Sequence, residues 1–259
     1  RGKVTVEAIT ARVDGAACTG CGACTKVCPY QAIYLDENKK AVVVEAACAG
    51  CGTCGAECQF GAITMRHFTD RQILAQIDAF TEYESDKKIL AFNCNWCSYA
   101  GADFAGVSRM QYPTEVRIIR TMCSGRVSTR FMERAFARGV AMVLISGCHI
   151  GDCHYIDANT YTEKRFRRLR KIMEQNGLDP ERLQLVWVSA AEGQRFQEKI
   201  AAMRNKLKTI SQEEIKRGMK VFGQRENKRE ERRQQRTGTD SSAGPERKIK
   251  VPVESGRSG

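Results

Sequence analysis

CTGCGACTKVCPYQAI, residues 18–33, returns thirty positions later as CAGCGTCGAECQFGAI, residues 48–63. Eight of the sixteen positions are identical: four cysteines, two glycines and a closing Ala-Ile. Each copy spaces its cysteines C-x2-C-x2-C-x3-C, the run that holds bacterial-type iron–sulfur clusters. The reason is local. Three thiolates on one tight loop can take three corners of a [4Fe–4S] cube, and Gly20, Gly22, Gly50 and Gly52 let the backbone turn sharply around it. The fourth corner needs a sulfur from elsewhere, and the other copy supplies it. Zinc is the competing ligand, but its C-x2-C pairs usually stand apart, unlike two doubled four-cysteine runs.

Residues 10–66 resemble the two-cluster bacterial ferredoxins. The resemblance implies one [4Fe–4S] cluster on Cys18, Cys21, Cys24 and Cys58, and a second on Cys48, Cys51, Cys54 and Cys28. Pro29 follows Cys28 as in that family; Gln59 after Cys58 departs from it. Short strands are expected at Thr10 to Asp14, Ile33 to Asp36 and Lys40 to Val44. A helix then starts at the capping box Thr69-x-x-Gln72, puts Ile73, Ile77 and Phe80 on one face, and ends near Glu84-Ser85-Asp86.

Thirteen cysteines in 259 residues, odd in number and clustered, read as metal or redox chemistry in a reducing compartment, not as a disulfide framework. No export signal is visible, and no apolar run approaches the roughly 18–20 residues of a membrane span. A cytoplasmic location is therefore expected, with any membrane association peripheral and through partners. The chain opens at Arg1, not at a methionine, and so reads as part of a longer protein. The net charge is +12, and residues 206–259, with 15 Lys/Arg and 8 Asp/Glu, carry +7 of it. There RENKREERRQQR (225–236) runs into TGTDSSAGPERK (237–248), which reads as a solvated helix end followed by disorder. No aromatic residues interleave with these charges, so no nucleic acid is expected as a partner.

From Lys87 strands and helices alternate. Ile89 to Phe92, Val116 to Ile119, Met142 to Ile145 and Leu183 to Val188 read as strands. Ser98 to Arg109, Ser128 to Ala137, Thr160 to Asn176 and a last segment capped by Ser189-x-x-Glu192 read as helices. Repeated units of this kind imply a parallel sheet covered on both faces. Cys94 and Cys97 follow the first strand, Cys123 the second, Cys148 and Cys153 the third. In open α/β sheets ligands bind beyond the carboxyl ends of the strands, so all five thiols should meet at one edge. An iron–sulfur cluster fits this best. A thioredoxin-like pair at Cys94 and Cys97 leaves three cysteines unexplained, and zinc remains open. His149 and His154 read as loop or supporting residues, Asp152 and Asp157 as turn formers, and Lys164 to Lys171 as a solvated basic face. Cys94 with Cys97, and Cys148 with Cys153, form close pairs, whereas Cys123 stands alone. The four paired cysteines are thus the expected ligands and Cys123 a neighbour of the cluster.

FNCNWCSYAGADFAGVSRMQYP, IIRTMCSGR and SGCHIGDCHYIDAN together resemble the delta subunit of methyl-viologen-reducing hydrogenase, over about residues 87–205. That family is an electron-transfer component with one [2Fe–2S] cluster. The ferredoxin segment with HFTDRQILAQIDAF resembles the C-terminal end of the flavin-containing component of heterodisulfide reductase, so the chain looks like the rear half of a fusion of the two. The resemblance implies an electron relay, not a stand-alone catalyst. Its partners would be heterodisulfide reductase B/C-type subunits and a hydrogenase or other dehydrogenase, or a membrane quinone-linked complex. FAD is expected upstream and no flavin in this segment, which carries no G-x-G-x-x-G. The expected organisation is an α+β ferredoxin-like domain over 1–68, a linker helix over 69–86, an α/β domain over 87–210, and a basic, mostly disordered tail over 211–259.

Overall fold

The computed structural model describes residues 8–237. Strands β1 (Ala11–Val13), β2 (Ile33–Leu35), β3 (Ala41–Val43) and β4 (Ile63–Met65) form two antiparallel ribbons, β1 with β4 and β2 with β3. Ala11 faces Met65 in one ribbon and Ala41 faces Leu35 in the other. The thirty-residue offset of the repeat carries β1 onto β3 and β2 onto β4, so each ribbon takes one strand from each copy. Two short helices, α1 (Ala23–Lys26) and α2 (Thr53–Glu57), start after Gly22 and Gly52. Ala11, Ile33, Ala41, Ile63 and Met65 pack against the cysteines. Strand β4 was not among the expected strands, although it stands in the second copy where β2 stands in the first.

The expected capping box forms at the start of α3 (Asp70–Phe80): Thr69 accepts from the Gln72 amide, and the Gln72 side chain accepts from the Thr69 amide. This helix is no free linker. Ile73 and Ile77 are fully buried in the core of the second module, and Arg134 grips Asp78 with two hydrogen bonds.

The second module is a parallel sheet of β5 (Ile89–Cys94), β6 (Val116–Thr121), β7 (Met142–Gly147) and β8 (Leu183–Trp187), in the spatial order β6-β5-β7-β8. β5 and β7 are buried along their whole length, as strands covered on both faces must be. One face carries α4 (Ser98–Val107) and α7 (Gly193–Leu207), with Phe196, Ile200 and Met203 against Ile89, Ala91 and Leu144. The other carries α3, α5 (Thr129–Ala137) and α6 (Ala158–Gln175), with Phe131, Phe136, Leu169 and Met173 against Leu90, Phe92 and Val143.

Two expectations are corrected. The tail was expected to be mostly disordered from residue 211, but α8 (Gln212–Thr237) is a long helix seated on α5. It buries Ile215 and Phe222, and Phe222 stacks on Phe136 at 5.3 Å. Arg225 and Arg229 close on the buried carboxylate of Glu133. The rest of the expected disorder, from residue 238, lies outside the described residues. The basic stripe from Lys164 to Lys171 is not wholly solvated either. Arg165 turns inward, is 3% exposed, and pairs with Glu57 of the first module.

Candidate metal centres

The first module gathers its eight cysteines into two sets of four. Burial pushes the Cys24 thiol up, and the like-charged neighbours Cys58, Cys18 and Cys21 push it further. Cys54 is raised by burial and then by Cys51, Cys48 and Cys28. Cys58 of the second copy shares a pocket with Cys18, Cys21 and Cys24 of the first, and Cys28 of the first copy lies near Cys48, Cys51 and Cys54 of the second. Cys18, Cys21, Cys24 and Cys58 line one pocket whose other walls include Leu35, Ala41, Ala62 and Ile63. Four convergent sulfurs in an apolar cradle fit a [4Fe–4S] cube. The two sets are related by the offset of the repeat: the Ala41 amide donates to Cys18 Sγ at 3.4 Å and the Ala11 amide to Cys48 Sγ at 3.5 Å. Glycine is required beside them, because at positive φ a Cβ on Gly20 would sit 2.2 Å from the Lys39 carbonyl oxygen, and one on Gly50 2.4 Å from that of Ile9.

The five remaining cysteines meet at the carboxyl edge of the parallel sheet. Connections leave β5 towards β6 on one side and then return to β7 on the other, so the crevice between β5 and β7 is the topological switch point. Cys94 ends β5, Cys97 heads α4 and Cys148 follows β7; their sulfurs lie within 4.8 Å of one another. Ser98 holds the two loops together, its Oγ accepting from the Cys94 amide at 2.9 Å and donating to the Ser146 carbonyl at 2.8 Å. Hydrogen bonds from Cys148 and Cys97 hold the Cys94 sulfur well below the ordinary thiol range, and bonds from Cys123 and Cys148 do the same for Cys153. Cys123 is buried together with Cys153 and with Cys51 of the first module. The geometry counts against thiol–disulfide exchange at Cys94 and Cys97. Cys94 is 1% exposed and shares its space with Cys148 at 3.8 Å, whereas an attacking thiolate needs access.

The histidines are held elsewhere. His149 Nε2 donates to Glu192 Oε2 at 2.5 Å, and the Ser189 amide donates to the same oxygen at 2.7 Å. These bonds, that of Ser189 first, hold the Glu192 carboxyl at about 2. Only half of the expected capping box at Ser189 forms, since Glu192 itself occupies the helix N-cap. His154 stacks on Trp96 at 4.1 Å, and the Trp96 indole N–H donates to the Tyr155 hydroxyl at 3.0 Å. Asn159, buried behind the loop, donates to the carbonyls of Cys148 and His149 and fixes its path. Asp157 heads α6 without a side-chain cap, and Asp152 is exposed.

The second four-cysteine set and the five-cysteine group share a wall. Cys51, Cys123, Cys153, Tyr155 and Ala158 form one buried cluster, with Tyr30 packed on it. Two arginines of the α/β module brace it: Arg126 pairs with Asp70, and Arg165 with Glu57. Tyr30, Tyr155 and Arg126 were not singled out from sequence. Tyr30 and Tyr155 each lie two residues after a cysteine, which was the available signal.

Two cysteine-lined cradles and a third sulfur group at a sheet edge define an iron–sulfur electron-transfer protein. Residues 89–211 match the family described as methyl-viologen-reducing hydrogenase, delta subunit, and residues 11–65 match the 4Fe-4S dicluster domain. The iron-sulfur D subunit of the F420-non-reducing hydrogenase vhc of Methanococcus voltae is 46% identical over 125 residues, 48% of this chain and 87% of that protein. The corresponding hydrogenase component of Archaeoglobus profundus is 43% identical over 115 residues, 44% of this chain and 84% of that protein. The chain belongs to this hydrogenase delta-subunit family, with a dicluster ferredoxin domain fused ahead of it. The A subunit of the ferredoxin:CoB-CoM heterodisulfide reductase of Methanosarcina mazei is 48% identical over 210 residues, a span that takes in both modules. That match covers 81% of this chain, and the chain spans about a quarter of that relative's length (26%). No helix among the described residues is long and apolar enough to cross a membrane.

Proposed function

We propose that the chain relays single electrons between a flavin-containing module of heterodisulfide-reductase type and a hydrogenase or other dehydrogenase. Heterodisulfide reductase B/C-type subunits would be further partners, in the cytoplasm, with any membrane contact made through partner subunits. Cys18, Cys21, Cys24 and Cys58 would hold one [4Fe–4S] cluster, and Cys28, Cys48, Cys51 and Cys54 the other. Cys94, Cys97, Cys148 and Cys153 would hold a [2Fe–2S] cluster, with Cys123 beside it. The bound clusters supply one-electron acceptors whose potentials depend on net charge, solvent exposure and hydrogen bonds to sulfur. The chain's own residues keep water out and hold the sulfurs in place: Ser98 and Asn159 pin the loops, and Tyr30 and Tyr155 close the wall between modules.

The observation that carries this reading is that Cys51 falls in one buried cluster with Cys123 and Cys153. That cluster brings sulfurs of the two modules together away from solvent. Anaerobic purification followed by iron, sulfide and zinc analysis tests it. About ten irons per chain and little zinc are expected. A count near eight with a reducible disulfide would favour thiol–disulfide exchange at Cys94 and Cys97.

A further inference from the structure

Arg126 is the most unusual charge among the described residues. It follows Cys123 by three residues, belongs to the α/β module, and is 1% exposed. One of its nitrogens, Nη2, donates to Asp70 and to the Phe68 carbonyl. Nε and Nη1 are buried without any hydrogen-bond partner. The side chain passes over the loop that carries the second four-cysteine set. A Cβ on Gly52 would lie 2.4 Å from Arg126 Cδ, and one on Gly55 would lie 3.6 Å from Nη1. Gly52 and Gly55 each directly follow a cysteine, Cys51 and Cys54. Phe131 covers the guanidinium at 4.9 Å.

Its counter-charge in the protein is incomplete. Asp70 is shared between Arg126 and Arg130. Glu57, the other carboxylate at this junction, is engaged by Arg165. Only Nη2 of Arg126 thus meets a carboxylate, one that it shares, and a buried cation with an incomplete counter-charge is costly. The missing negative charge has an obvious source. A [4Fe–4S] centre on four thiolates is net negative in both redox states.

We infer that Arg126 is the charge partner of the cluster held by Cys28, Cys48, Cys51 and Cys54, inserted from the neighbouring module to raise that cluster's reduction potential. This rests on the proposed ligation of the second set. It goes beyond it by making the docking of the two modules a determinant of where the electron sits. A cation close to the centre favours the reduced, more negative form, whereas Asp70 opposes it. The two side chains thus act with opposite sign on the same centre and leave the Cys18, Cys21, Cys24 and Cys58 set untouched.

The test is a redox titration of the full, cluster-loaded chain followed by electron paramagnetic resonance. The second centre is identified as the signal altered in Cys54→Ser. Arg126→Met should lower the equilibrium constant for reducing that centre at least tenfold, a shift of about 59 mV for one electron. Arg126→Lys should restore most of it. Asp70→Asn, which keeps the size of the side chain, should move the same midpoint upward. The first four-iron midpoint should stay in place in all three. Unmoved midpoints in folded Arg126→Met protein would overturn the inference. So would a downward shift in Asp70→Asn, which remains informative even where Arg126→Met does not fold. Absence of any four-iron signal in Cys54→Ser and wild type alike would instead refute the ligation on which the inference stands.

Discussion

Replacing Phe222 by alanine should cost the second module a large part of its stability, although the residue lies in a helix that is mostly charged. Its ring is fully buried and stacks on Phe136 at 5.3 Å, in the same core as Phe92, Phe131 and Val143. Deleting a buried phenylalanine side chain removes its transfer free energy and leaves a cavity, together about 3–5 kcal/mol. With a urea slope of about 3 kcal/mol/M for a chain of this size, the unfolding midpoint should fall by about 1 to 1.7 M. The assay is anaerobic urea unfolding followed by tryptophan fluorescence, with Trp187 at the end of β8 reporting on the module that α8 covers. Met219 supplies the internal control: it lies on the same helix three residues earlier and is 42% exposed. Met219→Ala should move the midpoint by less than about 0.2 M, in keeping with about 0.5 kcal/mol for surface changes. Equal shifts in the two variants, or a Phe222→Ala shift below about 0.3 M, would refute the docked helix.

Cys94→Ser should abolish or transform the electron paramagnetic resonance signal of the reduced third centre, whereas Cys123→Ser should keep it with a shifted potential; loss of the signal in Cys123→Ser alone would exclude the proposed ligand set. Gly22→Ala and Gly52→Ala share a backbone strain of about 1–2 kcal/mol at positive φ. Only the second drives a Cβ into Arg126, so it should lower the urea midpoint distinctly more, and equal losses would contradict the contact. Glu192 is held at about 2 in the folded chain, below its ordinary value, so its contribution is complete above pH 4.5 and fades as pH falls towards 2. The stability gap between wild type and Glu192→Gln should close over that window in urea melts at stepped pH; a constant gap would show that the bonds to Ser189 and His149 do not set it.

The cysteines made most of the candidate site legible. Their spacing within each copy pointed to three sulfurs of each expected set, because a tight loop can place only near neighbours around one cube; the fourth, Cys58 or Cys28, was what the ferredoxin resemblance implied. Their positions after β5, β6 and β7 placed the other five at one edge, because successive parallel strands end on the same side. What stayed hidden has physical reasons. The buried positions of α8 are Ile215, Gly218 and Phe222, a stripe one residue wide that the surrounding arginines and glutamates outnumber. Arg165 stands among seven other charged or long side chains, and charge alone does not tell which one turns inward to Glu57. Arg126 was visible only as part of the CSGR stretch. Its importance comes from the approach of Gly52 across the module boundary, a contact between residues seventy-four positions apart in the chain.

The exchange of strands between the two copies carries a statement about origin. Ala11 faces Met65 and Ala41 faces Leu35, so both backbone ladders described in the first module join one copy to the other, as does the pocket that Cys58 shares with Cys18, Cys21 and Cys24. A polypeptide holding a single copy could complete neither ribbon nor cradle by itself. Paired with an identical molecule about a twofold axis, it could complete both. The module thus has the pairing that two identical copies would make, although the copies differ in sequence at half of the sixteen repeat positions. One half kept Pro29 after its last cysteine and packs Tyr30 against the neighbouring module, while the other took Gln59 in the proline's place.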